Sequence, residues 1–523
     1  MNVSSILYET YNDIISTATA GYLDDVHCDN VMRIRIKYSA APRKEDTLAK
    51  LVGELGMWQL VVVAPLALIK VSSGWVQLAI LFLTPSYTFR CTEREDPTAA
   101  VANGTCYDDC RSYEVDTRPF DNTIVSEWGL VCDRAWLASF TQMALQLGIL
   151  IGSILFGFLS DRFGRRSTFL ATVVLMVGLG LGVPFSPTYT VFTVLRFGLG
   201  LATAGTMVVS FVIIMESIGP QYRELFGCFY QIPFVVGHMT LSIFGYYFRS
   251  WNTYSLALAT LPVLYLGYVF LVSESPRWLL SVGRVEEATK IVKRAAEMNK
   301  LPTANIEETL TKMSLEIRAG AEAPRANYAD LARRPLRLIT LCSCFMWAVT
   351  GLTFFGYNQY ISQTSSNPFV SVAVAGAIQI PADLSAIWLI RQFGRKATTA
   401  CCFCLAGLCI ITLGCISPGF WLSLILGSLG VSFAAIDATT IYIYTSELYP
   451  TVVRNMGIGL SSTSMRIGSM AAPFVANLAM TVPWLPTLIF GGAPILAAFV
   501  TLLLPETKGR SLPDSIEDVA SAK

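Results

Sequence analysis

Twelve apolar stretches, each near the twenty residues that span the roughly 30 Å hydrocarbon core of a bilayer, leave this 523-residue chain few folds outside a membrane. They occupy 55–83, 136–159, 167–185, 190–215, 225–248 and 254–272 in the first half, and 338–361, 368–390, 397–416, 420–444, 456–480 and 483–504 in the second. Helices follow because backbone polar groups in lipid must be satisfied within their own segment. The alternation of a membrane barrel strand is missing, so the expected fold is an all-α bundle of twelve transmembrane helices. Composition agrees: 53% of residues are hydrophobic, 14% are charged, and mean hydropathy is +0.52. A net charge of +1 gives no purchase for nucleic acid. Residues 1–50 lack the basic and apolar blocks of a cleaved signal peptide.

Charge placement orients the bundle. Arg162, Arg165 and Arg166, then Arg277, Arg284, Lys290, Lys293 and Arg294, then Arg391, Arg395 and Lys396, and finally Lys508 and Arg510, all follow even-numbered spans. By the positive-inside rule those connections are cytoplasmic, which puts both termini inside. The expected organisation is a cytoplasmic segment 1–54, a first half 55–272 with an extracellular loop 84–135, a cytoplasmic loop 273–337, a second half 338–504 and a cytoplasmic tail 505–523. Within the central loop, 285–299 has the spacing of an amphipathic helix. The outer loop carries Cys91, Cys106, Cys110 and Cys132 and the glycosylation sequon Asn103-Gly104-Thr105, so two disulfides are expected in one of three pairings. Cys401, Cys402 and Cys404 lie in an apolar stretch and read as small buried side chains; no metal site is expected.

Motifs recur at an offset of about 230 residues. Asp161-Arg162-Phe163-Gly164-Arg165-Arg166 answers Arg391-Gln392-Phe393-Gly394-Arg395-Lys396, Glu216 through Arg223 answers Glu447 through Arg454, and Glu274-Ser275-Pro276-Arg277 answers Glu506-Thr507-Lys508-Gly509. Two parallel six-helix halves with a solute between them is the architecture of alternating-access carriers. Asp161, Arg162, Arg165, Arg166, Glu216, Arg223, Glu447 and Arg454 are the candidate conformational latch, an ion-pair set on the inner face.

The run from Gly157 to Arg166, with Arg196, Gly200 and Gly205, resembles the signature of the major facilitator superfamily. Gly53-Glu54-Leu55-Gly56 with Gln59, the outer loop ending Glu127-Trp128-Gly129-Leu130-Val131-Cys132, and the run from Glu447 to Asn455 narrow the resemblance to the solute carrier 22 family of organic cation, carnitine and organic anion transporters, over roughly 53–514. Glu274 through Leu279 and Pro505 through Gly509 are also similar to hexose carriers, the alternative reading; those lack the long outer loop. The resemblance implies a plasma-membrane carrier of a small organic ion, with sodium or proton as a coupling ion and no cofactor.

Charges inside spans are costly and face a cavity or a partner. Lys70, Asp383, Asp437 and Arg466 are the candidates, with Gln379 close to Asp383 along its span. Arg466 is similar in position to an arginine of anion and carnitine carriers, where cation carriers place an aspartate. A guanidinium grips a carboxylate through two parallel hydrogen bonds. Gln379 and Asp383 fit neither the pure cation nor the pure anion pattern. Arg466 together with Asp383 therefore implies a zwitterion, carnitine-like or amino-acid-like. Trp347, Phe354, Phe355 and Tyr357 are candidates to stack on an organic cation, with Phe229, Tyr230 and Gln231 as weaker ones. His238 reads as a packing residue. No nucleotide loop, His-Glu-x-x-His or nucleophile elbow occurs, so neither an enzyme nor an ATP-driven pump is expected.

Overall fold

A computed structural model of the chain describes residues 46–85, 87–94, 103–320, 327–415, 419–480, 482, 484–509 and 513. Most of the expected cytoplasmic N-terminal segment and of the C-terminal tail, Arg510 included, lies outside them.

Ten helices among the described residues are long and apolar enough to cross a membrane: Met57–Leu83, Cys132–Phe163, Arg165–Phe185, Tyr189–Ser217 and Leu225–Tyr247 in the first half, then Arg334–Gln363, Pro368–Phe393, Arg395–Cys415, Phe420–Leu448 and Leu485–Leu502. The sixth and eleventh spans complete the twelve and differ for physical reasons. The sixth begins as an α-helix, Trp251–Thr260, and continues as a 3-10 helix, Leu261–Val269. Pro262 cannot donate to the preceding turn. The eleventh, Arg454–Asn477, carries Arg466 and a series of serines that lower its hydropathy.

The repeat seen in the motifs is also a repeat of packing. The first span packs on the fourth and fifth, the second on the fourth, and the third on the fourth and sixth; the seventh packs on the tenth and eleventh, the eighth on the tenth, and the ninth on the tenth and twelfth. Small residues permit the matching close approaches. A Cβ on Gly74 would lie 2.6 Å from the carbonyl oxygen of Phe234 in the fifth span, and one on Gly468 would collide with the carbonyl of Ala348 in the seventh. The lipid-facing rim is apolar, with Ile154, Phe158, Phe270 and Trp421 exposed.

Three helices too short and polar to span, Pro276–Val282, Val285–Met298 and Ile306–Gly320, follow the sixth span. Val285–Met298 is amphipathic as its spacing predicts, burying Ala288, Val292, Ala295 and Ala296. Asn299 ties this group to the first span, accepting from Trp58 N at 2.9 Å and donating to Val52 O at 2.7 Å.

On the outer side, a two-stranded antiparallel ribbon, β1 (Thr88–Arg94) and β2 (Cys110–Asp116), rises from the first span. Of the three pairings open to the loop cysteines, the structure forms Cys91–Cys110 and Cys106–Cys132. Asn103 sits exposed on a turn with Gly104, whose φ is +74°. Trp128 seats the loop on the bundle, its ring 5.1 Å from Trp251 and 5.1 Å from Phe192.

The two halves meet through the second span against the eleventh and the fifth against the eighth. The apolar core near the outer surface draws on both halves, joining Leu81, Phe82 and Phe120 to Phe354, Val372 and Ala472. At the opposite end there are separate cores, one built from the first half with the helices that follow its sixth span and one from the second half. Hydrogen bonds across the outer layer run from Ser139 Oγ to Pro473 O (2.8 Å), Asn477 Nδ2 to Ala135 O (3.3 Å), Ser362 Oγ to Leu81 O (3.4 Å) and Gln363 Nε2 to Thr84 O (3.4 Å). Phe82 stacks on Phe369 with centroids 5.6 Å apart. The structure is thus closed on its outer side.

Candidate functional site

Between the halves, near the middle of the long helices, lies a cavity of about 120 Å³. Its wall carries Lys70 from the first span, Asp383 from the eighth and Arg466 from the eleventh. Three charges drawn from three spans therefore face one space.

Each is held by neutral groups. Lys70 is 4% exposed; its Nζ donates to Gln231 Oε1 at 2.7 Å and lies 4.0 Å from the centre of the Tyr230 ring. Local chain geometry explains that reach. Pro233 cannot donate to Phe229, so the fifth span breaks between the short helix Arg223–Phe229 and Ile232–Tyr247, and Tyr230 and Gln231 turn towards Lys70. Asp383 Oδ1 accepts from Thr439 Oγ1 at 3.1 Å. Arg466 Nη1 donates to Gln77 Oε1 at a long 3.4 Å, which leaves most of its fork unused. Among the described residues no ion pair within 4 Å joins Asp383 to Lys70 or Arg466. The closed structural pair that would make Arg466 a mere fastener is not formed.

Gln379 and Phe354 also line the cavity. Gln379 Nε2 lies 2.9 Å from His238 Nδ1, a contact that bridges the halves, and also donates to Ala375 O at 3.1 Å. Three other expected contacts are not brought here. Trp347 is fully buried and donates to Thr445 Oγ1 at 2.8 Å, Tyr357 donates to Phe490 O at 2.9 Å inside the second half, and Asp437 is 0% exposed, pointing away from the Thr439 face of its helix. Helical spacing explains the last case: Ala435, Ala438, Thr439 and Tyr442 occupy the cavity face of the tenth span, and Asp437 falls on the other side. Gln77, Phe234, Thr439 and Tyr442 are among the wall residues that the sequence reading missed. Gln77 was reachable, two turns beyond Lys70 on one helical face.

The inner ends carry two copies of one ion-pair arrangement. Arg165 Nη2 reaches Glu216 Oε1 at 3.1 Å and Asp161 Oδ1 at 3.0 Å; Arg395 Nη2 reaches Glu447 Oε1 at 2.7 Å. Glu274 accepts from the backbone of Arg165 (2.8 Å) and Arg166 (3.0 Å), and Glu506 from Arg395 (3.0 Å) and Lys396 (3.0 Å), each capping a helix N-terminus. Burial pushes the Glu506 carboxyl up, but donation from these backbone groups and from Thr507 and Lys508 outweighs it and holds Glu506 below the ordinary glutamate range. Arg223 Nε donates to Met215 O at 3.0 Å and Arg454 Nε to Tyr449 O at 3.3 Å, so both brace loops. Arg162 is exposed, over the Phe163 ring.

Comparison with known proteins places this geometry. The sugar (and other) transporter family model matches residues 78–518. Solute carrier family 22 member 7 from Bos taurus is 36% identical over 415 residues, covering 78% of this chain and 75% of its own length. The chain belongs to the solute carrier 22 family. The organic cation transporter protein of Drosophila melanogaster is 34% identical over 78% of this chain and 76% of that protein, and the human organic cation/carnitine transporter 2 is 32% identical over 77% and 72%. In fold, the chain is similar to the xylose transporter XylE from E. coli in an inward-open conformation, with a TM-score of 0.60, 17% identity, and 89% of this chain and 98% of that one covered. This solute carrier 22 member is a multi-pass membrane transporter built as a major facilitator bundle of two six-helix halves.

Proposed function

We propose that this transporter of organic ions prefers a small solute bearing both a carboxylate and an amine or ammonium, carnitine-like or amino-acid-like, and moves it by alternating access. The observation that carries the reading is the set of three ionisable groups of both signs, Lys70, Asp383 and Arg466, joined by no ion pair within 4 Å among the described residues, on one cavity between the halves. The fork of Arg466 receives the carboxylate, with Lys70 adding positive field, while Asp383 receives the cationic end against Phe354 and Tyr442. A hexose offers no charge to any of the three, so desolvating them for it would go uncompensated. The names of the Drosophila and human relatives include organic cations and carnitine, which supports the same class.

The carrier works at the plasma membrane with both termini in the cytoplasm and carries out no chemical conversion. The glycan acceptor is Asn103. The ion pairs around Arg165 and Arg395 stabilise the inner ends of each half, with Asp161, Glu216 and Glu447 as partners. Side-by-side uptake of a labelled zwitterion, an organic cation, an organic anion and a hexose, with counterflow, tests the reading. Saturable zwitterion uptake accelerated by internal zwitterion is expected, and imposed sodium or proton gradients in the same assay identify the coupling ion. Uptake of hexose alone, or conductance without counterflow, would overturn it.

A further inference from the structure

A second chamber, of about 170 Å³, lies outside the central cavity and is lined by residues of both halves. Tyr87 and Ser139 come from the first half, and Gln359, Tyr360, Gln363 and Asn477 from the second; its lining contains no charged side chain. Three of the bonds that close the outer side, Ser139 to Pro473, Gln363 to Thr84 and Asn477 to Ala135, run along its walls. Gln359 stands apart. It is 5% exposed, its side-chain amide makes no hydrogen bond among the described residues, and it faces this space. Its amide atoms open on this space instead of being sealed among protein groups, so its donor and acceptor are a recognition surface for whatever enters.

Size and chemistry narrow the occupant. A cavity of about 150 Å³ accepts a benzene ring, so this one accepts a single-ring molecule. Absence of a counter-charge in the lining disfavours an ionised one. Tyr87 and Tyr360 supply aromatic surface, and burial pushes the Tyr87 phenol up to about 12, so it stays protonated. A carboxamide complements Gln359 reciprocally, N–H to C=O in both directions.

We infer that this outer chamber is a binding site for an uncharged aromatic amide, distinct from the central cavity. Its walls belong to both halves, and a ligand touching both favours the form in which they meet. Occupancy therefore holds the outer side shut and inhibits transport without competing for the central charges. The inference goes beyond the carrier reading and needs no transported solute for its test.

Thermal unfolding of the purified full-length chain, titrated with benzamide, benzoate and benzylammonium, tests it. Benzamide should give a saturable rise in Tm that persists both in Arg466→Ala, where benzoate gives none, and in Asp383→Asn, where benzylammonium gives none. Gln359→Leu should weaken the benzamide half-saturation at least tenfold. Should that variant fail to fold, Gln359→Glu, nearly isosteric and charged, should abolish the shift. No benzamide shift, equal shifts from all three probes in Arg466→Ala, or a benzamide shift lost in Arg466→Ala but kept in Gln359→Leu would overturn the assignment.

Discussion

Removing the guanidinium of Arg466 separates recognition from folding more cleanly than any other substitution in the central cavity. Among the described residues its one side-chain hydrogen-bond partner is Gln77 Oε1, 3.4 Å away, and no ion pair within 4 Å joins it to an aspartate. Arg466→Ala therefore forfeits one weak bond, and an arginine at a helix centre costs about 2.5–3.5 kcal/mol on insertion scales, so the variant loses nothing in membrane assembly. Hydrogen bonds to a charged group contribute about 1.5–3 kcal/mol, and each 1.4 kcal/mol is tenfold. The apparent affinity for a carboxylate-bearing zwitterion should thus fall about 10- to 150-fold at unchanged surface abundance. Uptake of a cation without a carboxylate should be unchanged or faster. Arg466→Lys keeps the charge and loses the two-pronged geometry, so it should fall between the two. The assay is initial-rate uptake across a concentration series, normalised to surface-biotinylated protein. Zwitterion uptake at wild-type KM in Arg466→Ala, with wild-type surface abundance, would refute the reasoning.

Arg165→Ala and Arg395→Ala should each lower the unfolding temperature of the solubilised protein, because Glu216 and Glu447 lose the cation that neutralises them in a mostly buried setting. Arg162→Ala, at an exposed position, should leave it unchanged. Gly468→Val should abolish surface expression, since a Cβ there meets the backbone of Ala348, whereas Gly459→Ala on the same helix, with nothing within 4 Å, should be tolerated; fluorescence size-exclusion profiles separate the two. Cys106→Ser and Cys132→Ser should destabilise equally and no further when combined, because each opens the same bridge, whose 26-residue separation corresponds to about 3 kcal/mol of loop constraint; a thermal unfolding series on the three variants checks this.

The parts of this molecule that follow from one-dimensional rules were legible in the sequence. Span length, the placement of arginines and the recurrence of Gly164 and Gly394 motifs led to a twelve-helix, two-half bundle, because lipid imposes a length and a backbone constraint on each segment separately. The site was partly legible for the same reason: Lys70, Asp383 and Arg466 are conspicuous where charge is expensive. What was not legible is rotation about the helix axis. Asp437 is as conspicuous as Asp383, yet 0% exposed, and Trp347 and Tyr357 spend their polar atoms on Thr445 and Phe490. Only packing of the tenth span against its neighbours decides which of its faces meets the cavity. The disulfide pairing was hidden too, since spacing alone leaves three choices and the ribbon of β1 and β2 selects one.

The ion pairs that fasten helix ends lie within each half, and among the described residues none joins the halves, a difference that favours rocking over unfolding as the way to open the outer side. Inside a half, Gly74 and Gly468 bring helix backbones into direct contact, and Arg165 and Arg395 fasten several helix ends at once. Across the outer seam, the four hydrogen bonds named above contribute about 0.5–1.5 kcal/mol each, and three of them are 3.3 Å or longer. Their sum, roughly 2–6 kcal/mol, is comparable with the ~5.5 kcal/mol of differential binding that reverses a 99:1 equilibrium. A solute held by Asp383 and Arg466 of the second half acts on that same balance, because Lys70 of the first half draws its carboxylate from the opposite wall. The polar part of the seam is weak enough for such a ligand to offset, while the ion-paired helix ends within each half stay fastened, so substrate binding energy is directed into the relative motion of the halves.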